Sequence, residues 1–119
     1  MLTTPQNPAG RLALVRESVA LAARSACRDP ADVTLIGVAK SQPDDRIRAA
    51  LDAGLVDLGE NYVQEAERHA ALLAGHVVRR HFIGALQSNK TRPVAESFDW
   101  VHTVDRIRIA ERLSEQRPP

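Results

Sequence analysis

The sequence predicts an α/β chain with a parallel sheet, made of four strand–helix units behind a leading helix. Two observations carry this. Short apolar runs alternate with polar-capped amphipathic stretches from Val33 onward, the pattern of βα units with short connections. The runs also recur at a step of about twenty residues, which suits a (β/α) barrel of eight units and about 250 residues. With 119 residues the chain holds about half of such a barrel. An open doubly wound sheet of four strands fits the same pattern, and periodicity alone does not separate the two.

Taken in order, residues 1–10 carry Pro5, Pro8 and Gly10 and read as a flexible arm ahead of a domain spanning residues 11–119. Leu12, Val15, Val19, Ala22 and Ala26 then recur at helical spacing, and Pro30 ends that helix. The first unit has a strand over Val33 to Ala39 and a helix over Pro43 to Ala53, with Pro43 in the first turn, Gly54 as terminator, and Ile47, Ala50 and Leu51 as buried stripe. The second has a strand near Val56 to Gly59 and a helix from about Asn61, with Val63, Ala66, Ala70 and Leu73 on one face and Gly75 at its end. The third has a strand over Val78 to Gly84 and a helix opened by Ser88, which Pro93 limits or confines to an early turn. The fourth has a strand over Trp100 to Val104 and a helix capped by Asp105 that runs through Ile109 and Leu113 towards Pro118.

Composition narrows the function classes. Lysine and arginine total 16 against 15 acidic residues, so no global field draws the chain to nucleic acid or an anionic membrane. Arg79, Arg80, Lys90 and Arg92 form a local basic cluster, but with four aromatic residues there is no platform on which bases would stack. No apolar run approaches the roughly 20 residues that span a bilayer. A single Cys27 and an amino terminus without a basic patch and apolar core argue for a cytoplasmic protein. The four histidines are scattered, so no metal site is expected, and neither a dinucleotide nor a nucleotide phosphate-loop fingerprint is present.

In both architectures ligands gather at the carboxyl ends of the strands. The residues there are Lys40, Glu60 with Asn61, Gly84 to Asn89, and Thr103 to Asp105. Lys40 ends the apolar run "TLIGVAK"; it reads either as an edge residue with its stem on the strand and its head in water, or as an amine that attacks an aldehyde. Asn61 either caps the following helix or offers a hydrogen bond to a ligand. Glu60 is solvated or paired. His81 and Ile83 fall on one strand face and Phe82 on the other, and a histidine so placed is commonly a hydrogen-bonded core residue.

Four blocks in order, "LIGVAKSQP", "AGLVDLGENYVQEA", "HFIGALQSNK" and "FDWVHTVD", closely resemble the pyridoxal phosphate homeostasis protein family, relatives of the amino-terminal barrel of alanine racemase. The resemblance runs from the first helix to the end of the chain and corresponds to the amino-terminal half of that family. It implies pyridoxal 5'-phosphate held as a Schiff base on the lysine ending the first strand, here Lys40, with Asn61 of "GENY" and Ile83 of "HFIG" near the cofactor ring. It also implies cofactor storage and balance without turnover and without catalytic residues. Two other readings stay open: a racemase-like enzyme, in which His81 is the available acid or base, and a fragment that binds no cofactor. A half-barrel leaves two unpaired strand edges and an apolar inner face, which predicts a homodimer formed through those edges.

Overall fold

The computed structural model describes residues 6–119. Residues 1–5 of the expected arm at residues 1–10 lie outside them, but its last part is helical: α1 spans Pro8–Ser25, with Pro8 in the first turn and Asn7 as cap, its Oδ1 accepting from Gly10 N–H at 2.7 Å. Proline at this position lacks only an amide hydrogen that a helix start leaves unpaired. The expected stripe of α1 is displaced. Leu12, Val19 and Ala23 turn inward while Val15 is 45% exposed, because α1 lies against α2 and the 3₁₀ turn that follows α1, and Arg16 donates to the Gly54 carbonyl at 3.0 Å.

Beyond α1, Asp29 caps a 3₁₀ turn at Pro30–Asp32, and four short strands then alternate with helices. The strands are β1 Gly37–Val38, β2 Asp57–Glu60, β3 Arg79–Phe82 and β4 Trp100–Val101. They form one sheet in the order β1-β2-β3-β4, parallel throughout. Helices α2 Asp44–Asp52, α3 Val63–His69, α4 Thr91–Ser97 and α5 Ile107–Gln116 follow the successive strands, α3 continuing as a 3₁₀ turn over Ala70–Leu73. This is the predicted α/β architecture of parallel βα units. β1 and β4 are shorter than their apolar runs because each is an edge strand with a partner on one side only.

Helix starts also differ from the sequence expectation after β1, β3 and β4. Pro43 is the N-cap of α2 rather than its first residue, its carbonyl accepting from Arg46 and Ile47. Ser88 opens a 3₁₀ turn, Ser88–Lys90, and α4 begins only at Thr91; Pro93 therefore lies in the first turn and the helix continues past it. Asp105 does not cap α5, whose N-cap is Arg106 without a side-chain bond. Gly54 does terminate the first βα unit, at a φ of +99° that other residues rarely adopt.

The helices cover one face of the sheet. Ala39, Ile47, Leu51, Leu55, Leu58 and Leu72 form a core beneath β1 and β2. Ala66, Phe82, Leu86, Val94, Phe98 and Ile109 form a second beneath β3 and β4, where Phe82 and Phe98 meet edge to face at 5.4 Å. Among the described residues the opposite sheet face carries no helix, and there Val38 is 50% and Trp100 58% exposed. Among the described residues no helix is long and apolar enough to cross a membrane.

Candidate functional site

Because the strands are parallel, the residues that leave them emerge along one edge of the sheet. Pairing extends one step beyond the strands: Ala39 N–H donates to Gly59 O at 3.0 Å, Ile83 N–H to Glu60 O at 2.9 Å and His102 N–H to Phe82 O at 3.0 Å. The registers Val38↔Gly59 and Glu60↔Phe82, carried forward, set Lys40, Asn61 and Ile83 in one row across three adjacent strands. Backbones of neighbouring strands in such a row stand about 4.8 Å apart.

Each member of the row has a distinct setting. Lys40 is exposed in the turn after β1, which Ser41 completes at a φ of +60°. Asn61 does not cap α3, whose N-cap is Tyr62, and its Oδ1 is buried without a hydrogen-bond partner. A buried amide oxygen left unpaired costs on the order of 1–3 kcal/mol, so its retention calls for a ligand donor or a water. Ile83 lies over Gly59 on the helix-free face: a Cβ at Gly59 would stand 3.0 Å from Ile83 Cδ1 and 3.1 Å from Ile36 Cγ2. Gly84 is required on steric grounds, since a Cβ there would overlap the Asn61 carbonyl. The Thr103 hydroxyl, from the loop after β4, donates to the Gly84 carbonyl at 2.5 Å.

Beneath the row, on the helix side, sits a buried pair that the residue pattern left unassigned. His69 Nδ1 stands 2.8 Å from Glu60 Oε1, both side chains 1% exposed, and Glu60 Oε2 has no partner. The Arg80 guanidinium lies 4.7 Å above the Phe98 ring and donates to the Ala66 carbonyl at 2.7 Å. Burial lowers the pKa of Arg80, which the charge of Glu60 partly offsets.

The helix-free face carries a second polar network. Asp57 accepts two hydrogen bonds from Arg79, both 2.8 Å, and one from His81 Nε2 at 2.8 Å. His81 Nδ1 lies 2.9 Å from His102 Nε2, and the His81 ring stacks near Trp100 with centroids 6.1 Å apart. Arg79, the larger influence, and His81 together hold the Asp57 carboxyl at a pKa of about 2. His81 is thus a hydrogen-bonded core residue, with both ring nitrogens engaged inside the protein.

The fold and this edge define a class: a chain of parallel βα units with an exposed lysine at the carboxyl end of the first strand. No protein-family model matches the chain. Over 118 residues, 99% of its length, it is 54% identical to a pyridoxal phosphate homeostasis protein of Pseudomonas aeruginosa, and over 113 residues it is 50% identical to the protein of that name from Escherichia coli. The chain spans about half the length of these curated relatives, 50% and 48% respectively. Among solved structures it is similar to PipY of Synechococcus elongatus without pyridoxal phosphate, at 40% identity and a TM-score of 0.79, covering 92% of this chain and 47% of PipY. It is similar also to PipY with pyridoxal phosphate bound, at 41% identity and a TM-score of 0.70, covering 85% of this chain and 47% of that one. The chain is therefore a homologue of the pyridoxal phosphate homeostasis proteins, corresponding to about half of a TIM-barrel-like fold.

Proposed function

We propose that this chain binds pyridoxal 5'-phosphate through Lys40 and serves cytoplasmic cofactor homeostasis without turnover. The observation that carries the reading is the row itself, an exposed primary amine beside a buried, unpaired amide oxygen at Asn61. The residues fit the aldehyde side of the cofactor. The cofactor supplies an aldehyde that condenses with an amine to a Schiff base, the carbonyl oxygen leaving as water. Lys40 offers Nζ as the attacking amine, Asn61 Oδ1 accepts a hydrogen bond from the bound group, and Ile83 gives the ring an apolar neighbour. Relatives named for pyridoxal phosphate homeostasis and a PipY structure with the cofactor bound support the same assignment.

The setting of His81 supports the absence of turnover. A racemase-like reaction needs an acid or base within reach of the substrate. Here Asp57 occupies one nitrogen of His81 and His102 the other, and the ring is 3% exposed. Self-association through the free edges of β1 and β4 belongs to the same proposal.

The sequence makes the test sharp, because Lys40 and Lys90 are its only lysines. Incubation with pyridoxal phosphate, borohydride reduction and peptide mapping should place the adduct on Lys40. Equal labelling of Lys90, or labelling unchanged in Lys40→Ala, would contradict the assignment. Racemisation of an amino acid by the cofactor-loaded chain, lost in His81→Ala, would contradict the absence of turnover.

A further inference from the structure

A separate cleft of about 510 Å³ opens between the β2–α3 turn and the loop from β3 to α4. It contains none of Lys40, Asn61 or Ile83. Its floor is apolar, built by Val63, Phe82 and Leu86, of which Phe82 and Leu86 are 1% and 5% exposed. Glu65 lines it from α3, and the Oε2 of that carboxylate is buried without any hydrogen-bond partner. Lys90 lines it from the facing loop and is exposed. Tyr62, 55% exposed, stands at its rim.

We propose that this cleft binds a free amino acid with a large apolar or aromatic side chain. Volume and apolar floor match those of small-molecule sites, which range over about 300–1,000 Å³ and are apolar with a few placed polar groups. The polar groups set the ligand class. One unpaired carboxylate oxygen and one free ammonium call for a partner of each sign, which a zwitterion carries on a single carbon. The ligand's ammonium would pair with the Glu65 carboxylate, its carboxylate would accept from Lys90 Nζ, and its side chain would lie against the apolar floor beneath the Tyr62 ring. A phosphorylated cofactor is disfavoured, because its dianion would face Glu65. A metal ion would find too few ligands, since no group of three or more histidine, cysteine, aspartate or glutamate side chains is placed to hold one among the described residues.

The test uses the cofactor-free chain, so its outcome is independent of the Lys40 assignment. L-Phenylalanine, phenethylamine and 3-phenylpropionate are titrated separately while backbone amide shifts are followed by NMR. L-Phenylalanine should bind saturably, with shifts centred on residues 62–65 and 85–90. The two probes that lack one charge should bind about tenfold more weakly, as expected for loss of one charged hydrogen bond. Glu65→Gln keeps the side-chain size and should weaken L-phenylalanine by about tenfold, while Lys90→Gln, at an exposed position, should abolish its preference over phenethylamine. Absence of saturable binding overturns the proposal. So does equal affinity for all three probes, or an affinity unchanged in Glu65→Gln whose amide spectrum shows a folded chain.

Discussion

At the scale of single residues, Asn61 separates stability from function. Its Oδ1 has no hydrogen-bond partner among the described residues, so Asn61→Ala should not lower stability to urea and should raise it by up to about 1–3 kcal/mol. The same substitution should lower adduct formation at Lys40 about tenfold at sub-saturating cofactor, if the orphan oxygen accepts from the ligand. A large loss of stability without loss of cofactor would assign Asn61 to the scaffold instead. Asp57 gives a pH signature. Its folded pKa of about 2 lies below the ordinary 3.8 because Arg79 and His81 bond its ionised form. A depressed carboxyl stabilises the fold above its unfolded pKa and loses that contribution as pH falls through the folded value. Urea midpoints should therefore decline between about pH 4 and pH 2, and Asp57→Asn should flatten that decline.

At the scale of elements, the Glu60–His69 pair ties β2 to α3 directly behind the row. Removing one partner leaves the other buried without its hydrogen bond, which costs about 1–3 kcal/mol. His69→Ala should thus destabilise strongly in thermal or urea unfolding, and a Glu60→Leu/His69→Leu double variant should recover much of the loss. Equal destabilisation by the single and double variants would show that packing, not charge, governs the site. This pair was partly legible: Glu60 shares a strand face with Leu58, and that face meets the helix, so a carboxylate there needs a partner. Its identity was not legible, because nine residues of turn and helix decide which side chain returns to it. The existence of all four βα units, the Gly54 stop and the opposed faces of Phe82 and Ile83 were readable, since each follows from local periodicity or glycine chemistry. The caps at Pro43, Ser88 and Asp105 were misplaced by one or two residues, because several capping residues compete within each connecting loop. The Asp57–His81–His102 chain joins three strands and leaves no local sequence signal at all.

At the scale of the whole molecule, the sheet is covered on one side only. The radius of gyration is 16.2 Å, against about 13.5 Å for a compact domain of this length. Val38 and Trp100 lie exposed on the open face, and β1 and β4 present unpaired edges. Pairing of two copies, β4 of each against β1 of the other, would satisfy both edges in a closed two-fold arrangement. Sedimentation should show a concentration-dependent dimer, and Trp100→Lys should shift it towards monomer; a stable monomer at high concentration would refute the pairing. The central claim nevertheless rests on one amine. Borohydride trapping with pyridoxal phosphate, read by peptide mass spectrometry, decides it: the reduced adduct should lie on Lys40 with none on Lys90, and an adduct distributed over both lysines would exclude Lys40 as the specific site.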